Sequence, residues 1–307
     1  MNQYYQVNWI NGMKIISQHF EQLENHFIYR IQKSLKGTVT PITYGLIPDS
    51  KEAVTSPQVV FSSSKDKVKI INGFVALTPD GHLIQVPPNE EFPLQKPIIP
   101  AEYYYRVGSA EPYSRVSFSQ IDGQEDPPRY PYIMQAYRFE FFTPKDEYLH
   151  VIEENKVPVG KYNGIIYEED RRYIPPCSSV QSHPDLIALC KSIQKSISDL
   201  ETRILGLLKT KDHSSNSMFN NILNFNALNK SFIDIQLPYE APFFLLEKIQ
   251  QLARIIRYSK DRENNNVLSE IVNFNYNHID IRQSVARIET FLSSYTQYLP
   301  FDSKVRP

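Results

Sequence analysis

The 307-residue chain has few of the residues that disulfide frameworks, metal sites and membrane spans require. Its two cysteines, Cys177 and Cys190, are too few for a disulfide framework or a multi-cysteine zinc site. It has no run of about 18 apolar residues, so no segment predicts a transmembrane helix. Its first residues, MNQYYQVNWINGMK, lack a basic start and a continuous apolar stretch. We therefore expect no secretory signal and a cytoplasmic location.

An excess of one charge is also missing. Lys and Arg total 33 against 34 for Asp and Glu, which argues against nucleic acid as the main partner, since that partner demands a basic surface. The sequence contains no GxGxxG, GxxxxGK[ST], HExxH or GxSxG string. These are the motifs of dinucleotide, phosphate, zinc and serine chemistry. We expect no cofactor, no metal and no enzymatic activity.

For three groups of residues, a role in metal binding or catalysis is an alternative to a structural role. His19 and His26 share a helix face but lie two turns apart, about 10 Å along the axis, which is too far for one metal ion. Asp80 and His82 flank a turn glycine and could form a catalytic pair, although a Pro-Asp-Gly turn itself uses the Asp. Cys177 could be a nucleophile activated by His183, or a small buried residue.

Proline and glycine divide the chain into two halves. Eighteen of the 22 prolines lie at or before Pro184, and nine of the ten glycines at or before Gly164. Because both residues interrupt helices, the first half should be mostly β and the remainder mostly helical. We expect a hairpin over 68–86 around Thr78-Pro79-Asp80-Gly81. Further strands are expected at 103–107, 132–142 and 147–152, with an exposed loop at 121–131.

One helix, expected near 17–36, precedes these strands. Ser17 is a candidate N-cap and Gly37 a stop signal. Apolar residues between them recur at spacings of three or four, which predicts a face packed on the sheets. They are Phe20, Leu23, Phe27, Ile31 and Leu35.

The apolar period changes after Pro184. A near-heptad seam predicts a long helix. Its residues are Leu186, Leu189, Ile193, Ile197, Leu200, Ile204 and Leu207. Further helices are expected near 217–235, 241–258 and 279–298, with polar linkers at 214–217 and 261–266. Four helices with short connections predict an antiparallel bundle.

Two sets of aromatic residues are candidates for contacts with another chain. Trp9, the only tryptophan, could anchor a partner or cap the local β core, and physics alone leaves both open. Phe243 and Phe244 precede two leucines in a run too dense for one helix face. We expect part of that run to meet a neighbouring chain.

Five stretches, in order, resemble the TssK family of type VI secretion baseplate adaptors. Residues 7–13, VNWINGM, and 17–22, SQHFEQ, are similar to its opening Trp-x-x-Gly-Met and Pro-Gln-His-Phe-Gln-Gln, with Ser17 and Glu21 as departures. Tyr44-Gly45-Leu46 resembles its Trp-Gly-Leu. Gly73, Pro79-Asp80-Gly81 and Pro87 resemble its strand pair. Residues 173–177, YIPPC, and 275–280, NYNHID, resemble a domain-closing string and a late helix.

The resemblance implies an α+β fold: a β-sandwich shoulder domain over 1–178, like that of phage receptor-binding proteins, and a helical bundle over 179–307. It implies a homotrimer that binds the baseplate wedge proteins TssF and TssG, at the inner face of the cytoplasmic membrane. Candidate wedge or trimer contacts are Trp9, Gly12, Met13, Gln18, His19, Phe20, Phe243 and Phe244. Expected structural residues are Pro79, Asp80, Gly81, Tyr173, Pro175, Pro176 and Cys177.

The family usually continues for over a hundred residues beyond the last resembling helix, into a head domain that contacts TssL and TssM. Either that head lies outside this chain, or this lineage lacks it. Two other classes stay open. One is a phage-like receptor- or carbohydrate-binding module with the same shoulder fold. The other is a glycosidase with paired carboxylates about 5–10 Å apart.

Overall fold

A computed structural model describes residues 4–48, 57–61, 67–93, 102–109, 113–117, 132–142, 155–163, 168–209, 217–258 and 266–299. The chain forms two compact units, one of Met1–Gly45 with Pro57–Arg171 and one of Leu46–Ser56 with Arg172–Pro307. By its contacts, the stretch 172–178 groups with the helices, although we assigned it to the β-rich domain. The predicted loop 121–131 and strand 147–152 lie outside the described residues.

The first unit contains helix α1 (Ser17–Lys36) and a series of short strands. The strands are β1 (Gly45–Leu46), at the boundary of the units, β2 (Val59–Phe61), β3 (Lys67–Ile70), β4 (Phe74–Leu77), β5 (Leu83–Val86), β6 (Glu90–Pro93), β7 (Glu102–Ser109), β8 (Arg115–Ser117), β9 (Ile133–Gln135), β10 (Tyr137–Phe142), β11 (Lys156–Asn163) and β12 (Glu168–Glu169). The strand pairs with a described register are all antiparallel.

The strands form small sheets, two of which pack on one another. One sheet has the order β2-β3-β6, another β10-β7-β11-β12, and β8 pairs with β9. Phe92 of β6 and Phe139 of β10 are both buried, and their ring centroids lie 4.6 Å apart. Face-to-face contact between inner faces is how two sheets bury a common core. The predicted α+β class with antiparallel sheets is confirmed.

The predicted hairpin is confirmed for β4 and β5, which pair from Phe74↔Val86 to Leu77↔Leu83 around the Pro-Asp-Gly turn. The apolar run before it breaks at Asn72-Gly73, so β3 belongs to a different sheet. The predicted strand 132–142 is two strands, β9 and β10, separated at Ala136. The residues on each side of Ala136 pair with different partner strands, β8 and β7.

The second unit is built from helices around one apolar core. They are α2 (Pro184–Leu208), α3 (Ser217–Ser231), α4 (Phe243–Tyr258), α5 (Asn266–Val272) and α6 (Ile281–Ser294). The seam predicted for α2 is confirmed, because all its members from Leu186 to Ile204 are buried and Leu207 is half-buried. The sequence analysis did not predict α5, which begins at Asn266, the last residue of the expected polar linker 261–266.

The string Tyr173–Cys177 ties distant parts of the second unit together. The Tyr173 hydroxyl donates to the carbonyl of Ile279 at 2.6 Å, and the Ile174 carbonyl accepts from the Ile281 N–H at 3.1 Å. The Pro176 carbonyl accepts from the Leu46 N–H at 2.8 Å. All five residues are buried. These contacts explain why an extended, proline-containing segment belongs with the helices.

Candidate functional site

Helix α1 begins one residue before the position expected from Ser17. Its N-cap is Ile16, whose backbone is extended. The Ile16 N–H donates to His19 Nδ1 at 3.4 Å, and the His19 N–H donates to the Ile16 carbonyl at 3.0 Å. His19 therefore satisfies backbone groups of the first turn, a need that every helix N-terminus has. Ser17 as N-cap was wrong, whereas the end at Gly37 is confirmed.

Most of the predicted apolar face of α1 is exposed to solvent. Phe20, Phe27 and Ile31 expose 57%, 57% and 55% of their surface, and Ile16 exposes 40%. No residue of the helix is buried. The prediction of a face packed on the sheets was wrong for Phe20, Phe27 and Ile31, whereas Leu23 and Leu35 of the same prediction are half-buried. The spacing defines a face and does not say what covers it. Positions 16, 20, 27 and 31 step by four, seven and four, so they form one line along the helix.

The opposite, polar face of α1 attaches it to the first unit. Gln22 Nε2 donates to the Tyr5 carbonyl at 3.1 Å, and His26 Nδ1 lies 2.8 Å from the Tyr4 carbonyl. Since a carbonyl only accepts, His26 carries its proton on Nδ1 in this contact. A helix that turns its apolar side to solvent and its polar side to its own unit has the reverse of the usual arrangement.

Arg115 of β8 makes a second attachment. Its Nη2 donates to Glu24 Oε2 at 2.8 Å and to Asn25 Oδ1 at 2.7 Å, while Nη1 donates to the Tyr113 carbonyl at 3.2 Å. The Tyr113 ring lies 4.0 Å, centroid to centroid, from the ring of Tyr4. One guanidinium thereby joins the middle of α1 to the edge of a two-stranded sheet.

The β4–β5 turn makes a third attachment. Gln32 Nε2 lies 3.4 Å from both the carbonyl and Oδ2 of Asp80. Gly81 has φ of +87° and comes so close to α1 that a Cβ there would lie 2.5 Å from the Lys36 nitrogen and 2.6 Å from the Gln32 oxygen. Such a distance forbids any side chain, so glycine is required by both the turn and the helix.

Trp9 extends the exposed apolar face beyond the helix. Its ring lies 6.0 Å from that of His19, edge-on, and 6.3 Å from that of Phe20, centroid to centroid. It is 45% exposed. The turn that follows has Gly12 at φ +79° and a hydrogen bond from the Met13 N–H to the Ile10 carbonyl at 3.2 Å. We call the set Trp9, Ile16, Phe20, Phe27 and Ile31 the apolar stripe.

The structure thus brings several predicted contact residues together. The Trp9 ring lies beside those of His19 and Phe20, and Gly12 and Met13 form the turn that follows Trp9. Gln18 is exposed on α1. Sequence reasoning missed Phe27 and Ile31 as surface residues, although their spacing from Phe20 placed all three on one face.

Phe243 and Phe244 lie in the helical unit and have neighbours within it. The Phe243 ring lies 5.4 Å from Phe244 and 5.6 Å from Tyr276, and Phe244 lies 5.9 Å from Phe232, all between centroids. The following Leu245 and Leu246 are fully buried. Phe243 and Phe244 themselves are half-buried, so the expectation that part of this run meets a neighbouring chain stays a prediction.

Asp80 and His82 form a buried pair inside the turn. His82 Nδ1 lies 2.8 Å from Asp80 Oδ2, and the Thr78 hydroxyl donates to Asp80 Oδ1. Burial raises the pKa of Asp80, but hydrogen bonds from His82 and Thr78 outweigh it, so that pKa lies below its usual value. The contacts serve the turn geometry expected for Pro-Asp-Gly.

The cysteines are buried in the helical unit and poorly suited to nucleophilic chemistry. Burial raises the pKa of Cys177 strongly and that of Cys190 to about 11. The Cys177 thiol donates to the Pro175 carbonyl at 3.2 Å. His183 instead accepts a hydrogen bond at Nδ1 from the Asp185 N–H at 3.2 Å and caps α2. A thiolate is the reactive form, and this environment suppresses it.

Within the described residues, no cluster of three or more His, Cys, Asp or Glu side chains is arranged to hold a metal ion. Across the same ranges, no helix combines the length and apolar character that crossing a bilayer requires.

Comparison with solved structures identifies the architecture. No family model and no curated protein matches the sequence. A crystal structure of TssK matches with a TM-score of 0.58 and 13% identity over 96% of this chain and 69% of that one. TssK from the EAEC type VI secretion system, in complex with a nanobody, matches with the same score and identity over 91% and 69%. A chain of the TssK–TssF–TssG baseplate subcomplex matches with 0.53 and 16% over 94% and 99%. The chain therefore has a TssK-like fold, as the resemblance implied.

Proposed function

We propose that this chain is a structural component of a type VI secretion baseplate, which docks wedge proteins of the TssF and TssG kind through its apolar stripe. The single observation that carries the proposal is that helix α1 exposes an apolar line of side chains to solvent, in a chain with a TssK-like fold. The matching TssK–TssF–TssG structure is a complex of baseplate proteins, which supports a partner of this kind for the same fold.

The chemistry of the stripe supports protein docking. Trp9, Phe20 and Phe27 are of the aromatic types that dominate the energetics of protein interfaces. Contiguous apolar residues on a soluble surface mark interaction sites. Burial of one large apolar side chain stabilises by roughly 1.5–3 kcal/mol, so a few such residues can outweigh the entropy lost on association.

A homotrimer belongs to the same proposal. The helical unit exposes Leu205 on α2 and Leu228 on α3, at 46% and 84%, and we propose both as candidate contacts between copies. Trp9, Gly12, Met13, Gln18, His19 and Phe20 remain candidate wedge contacts, and Phe243 and Phe244 candidate trimer contacts. We also propose contacts with TssL and TssM, if a head domain is present, and a place at the inner face of the cytoplasmic membrane; the TssK-like fold is what supports both.

An enzymatic role and a receptor- or carbohydrate-binding role receive less support. The matching structures described above are of baseplate proteins. The cysteines are buried thiols, and the Asp80–His82 pair is enclosed in a turn that it shapes. A structural role accounts for each of these groups without a reaction.

Co-purification tests the proposal. The chain is co-expressed with the TssF and TssG proteins encoded in the same genome, with an affinity tag on TssG. We expect the chain to be retained, and Trp9→Ala or Phe20→Ala to reduce the retained amount. Retention of TssF without this chain would contradict the proposal.

A further inference from the structure

We propose that the turn Thr78–His82 fixes the direction of the apolar stripe, and that Gly81 and Gln32 act as positioning residues for docking. Both lie away from the stripe, and we infer that they act through the orientation of α1. This inference rests on the proposed docking function.

The first step is that α1 has no deeply buried side chain. None of its residues is fully buried, so fewer apolar contacts fix its orientation than in a core helix. Its half-buried aliphatic residues are Leu23, Ile28 and Leu35. Polar contacts add to these: Gln22 and His26 on the N-terminal carbonyls, and Arg115 on Glu24 and Asn25. Elements with few buried contacts open locally at a lower free energy than the core.

The second step is that the turn lies in close contact with the backbone of α1. The hypothetical Cβ of residue 81 would meet the Lys36 nitrogen, the Lys36 Cα at 3.0 Å and the Gln32 oxygen. All three are backbone atoms, which cannot rotate aside as a flexible side chain can. The last turns of α1 therefore lie directly on the glycine, and any larger residue must push the helix or the turn away.

The third step is that the turn is a rigid support. Thr78, Asp80, Gly81 and His82 are buried. The His82 N–H donates to the Thr78 hydroxyl oxygen at 2.8 Å, and the Thr78 N–H donates to the His82 carbonyl at 2.9 Å. These bonds close the hairpin next to the paired Leu77 and Leu83. Displacement should consequently fall on the loosely held helix, not on the turn.

Hydrogen exchange of the full chain, followed by mass spectrometry, tests the inference. In Gly81→Ala we expect amides of 17–36 to exchange at least tenfold faster than in the wild type, with β4, β5 and α2 unchanged. Binding to the TssF–TssG complex should weaken at least tenfold. Gln32→Ala removes the helix side of the contact, leaves the turn residues intact, and should give a smaller change in the same direction.

Gly37→Ala is the matched control. Its φ is −70°, and its Cβ would meet the Ser34 oxygen at an ordinary 3.5 Å. We expect exchange and binding to stay at wild-type values. If Gly81→Ala also disturbs β4 and β5, Gln32→Ala alone decides the outcome.

The outcomes separate the two claims. The deciding variant is Gly81→Ala, or Gln32→Ala if Gly81→Ala disturbs β4 and β5. If its amides in 17–36 exchange at the wild-type rate, the inference is overturned. The inference is also overturned if these amides exchange faster but the variant binds TssF–TssG as tightly as the wild type. If stripe substitutions such as Phe27→Ser leave binding intact, the proposed docking function fails. The exchange data still decide whether the turn holds the helix.

Discussion

At the scale of single residues, His183 links the stability of the helical unit to pH. It is 3% exposed, and burial lowers its pKa to about 4 against the opposing effect of Asp185. The unfolded chain, with an ordinary histidine pKa near 6.5, binds more protons between these values. Stability is therefore complete above about pH 6.5 and falls as the pH drops towards 4, by up to about 3 kcal/mol.

Urea unfolding of the wild type and of His183→Asn at pH 7.5 and 4.5 measures this effect. Asn retains a side-chain acceptor for the Asp185 N–H and is a favoured N-cap, but it does not titrate. We expect the variant to lose clearly less stability on acidification. Equal losses in both proteins would show that other groups carry the pH dependence.

The two cysteines offer a second residue-scale prediction. Cys177 is fully buried and Cys190 is 2% exposed, and burial raises the pKa of both thiols. We expect Ellman's reagent to leave both unmodified in the native protein and to modify both in denaturant. Rapid modification of Cys177 at neutral pH would contradict this prediction and support the hypothesis that Cys177 is a nucleophile.

At the scale of elements, α3 contains a buried amide with no described hydrogen bond. Asn226 is 2% exposed, and neither Nδ2 nor Oδ1 has a partner among the residues that the structure describes. A buried unsatisfied polar group costs about 1–3 kcal/mol. We expect Asn226→Leu, which keeps the number and branching of the side-chain heavy atoms, to raise the free energy of unfolding by roughly 1–2 kcal/mol.

Asn229, one turn later, is the matched control. Its Nδ2 donates to the Phe225 carbonyl at 2.9 Å and its Oδ1 accepts from Lys248 at 3.0 Å. Asn229→Leu should leave stability unchanged or lower it. A stabilisation by Asn229→Leu as large as that by Asn226→Leu would rule out the explanation from missing hydrogen bonds.

The apolar stripe and the α2 seam should respond differently to truncation. Phe27 is 57% exposed and Ile193 is fully buried. We expect Phe27→Ser to change the free energy of unfolding by less than about 0.5 kcal/mol, and Ile193→Ala to lower it by about 2–5 kcal/mol. Chemical unfolding compares them. A loss above 2 kcal/mol for Phe27→Ser would mean that the stripe belongs to the core.

The elements also show what a sequence can and cannot predict. The spacing of Leu186 to Ile204 predicted a helix and which side of it is buried. The second prediction succeeded because residues of the same chain cover that side of α2. The same kind of spacing in α1 predicted the helix but not its direction, since a partner surface satisfies the pattern as well as a core does. Helix α5 is too short, at seven residues, for periodicity to reveal it.

At the scale of the whole molecule, the proposed trimer has a simple signature. One chain has a mass of 35.7 kDa, so a trimer has about 107 kDa. We expect light scattering to give that value independently of dilution, and Leu205→Ser with Leu228→Ser to shift it towards the monomer. A monomeric wild type would contradict trimer formation by these residues.

The central claim is that the stripe docks baseplate proteins. Interferometry with immobilised TssF–TssG complex measures the dissociation constants of the wild type, of Phe20→Ser/Phe27→Ser, and of Tyr258→Ser, an exposed aromatic of the helical unit (78%), as control. Two interface aromatics at about 1–2 kcal/mol each should weaken binding on the order of a hundredfold, with Tyr258→Ser unchanged. A folded double variant that binds as tightly as the wild type would contradict the account.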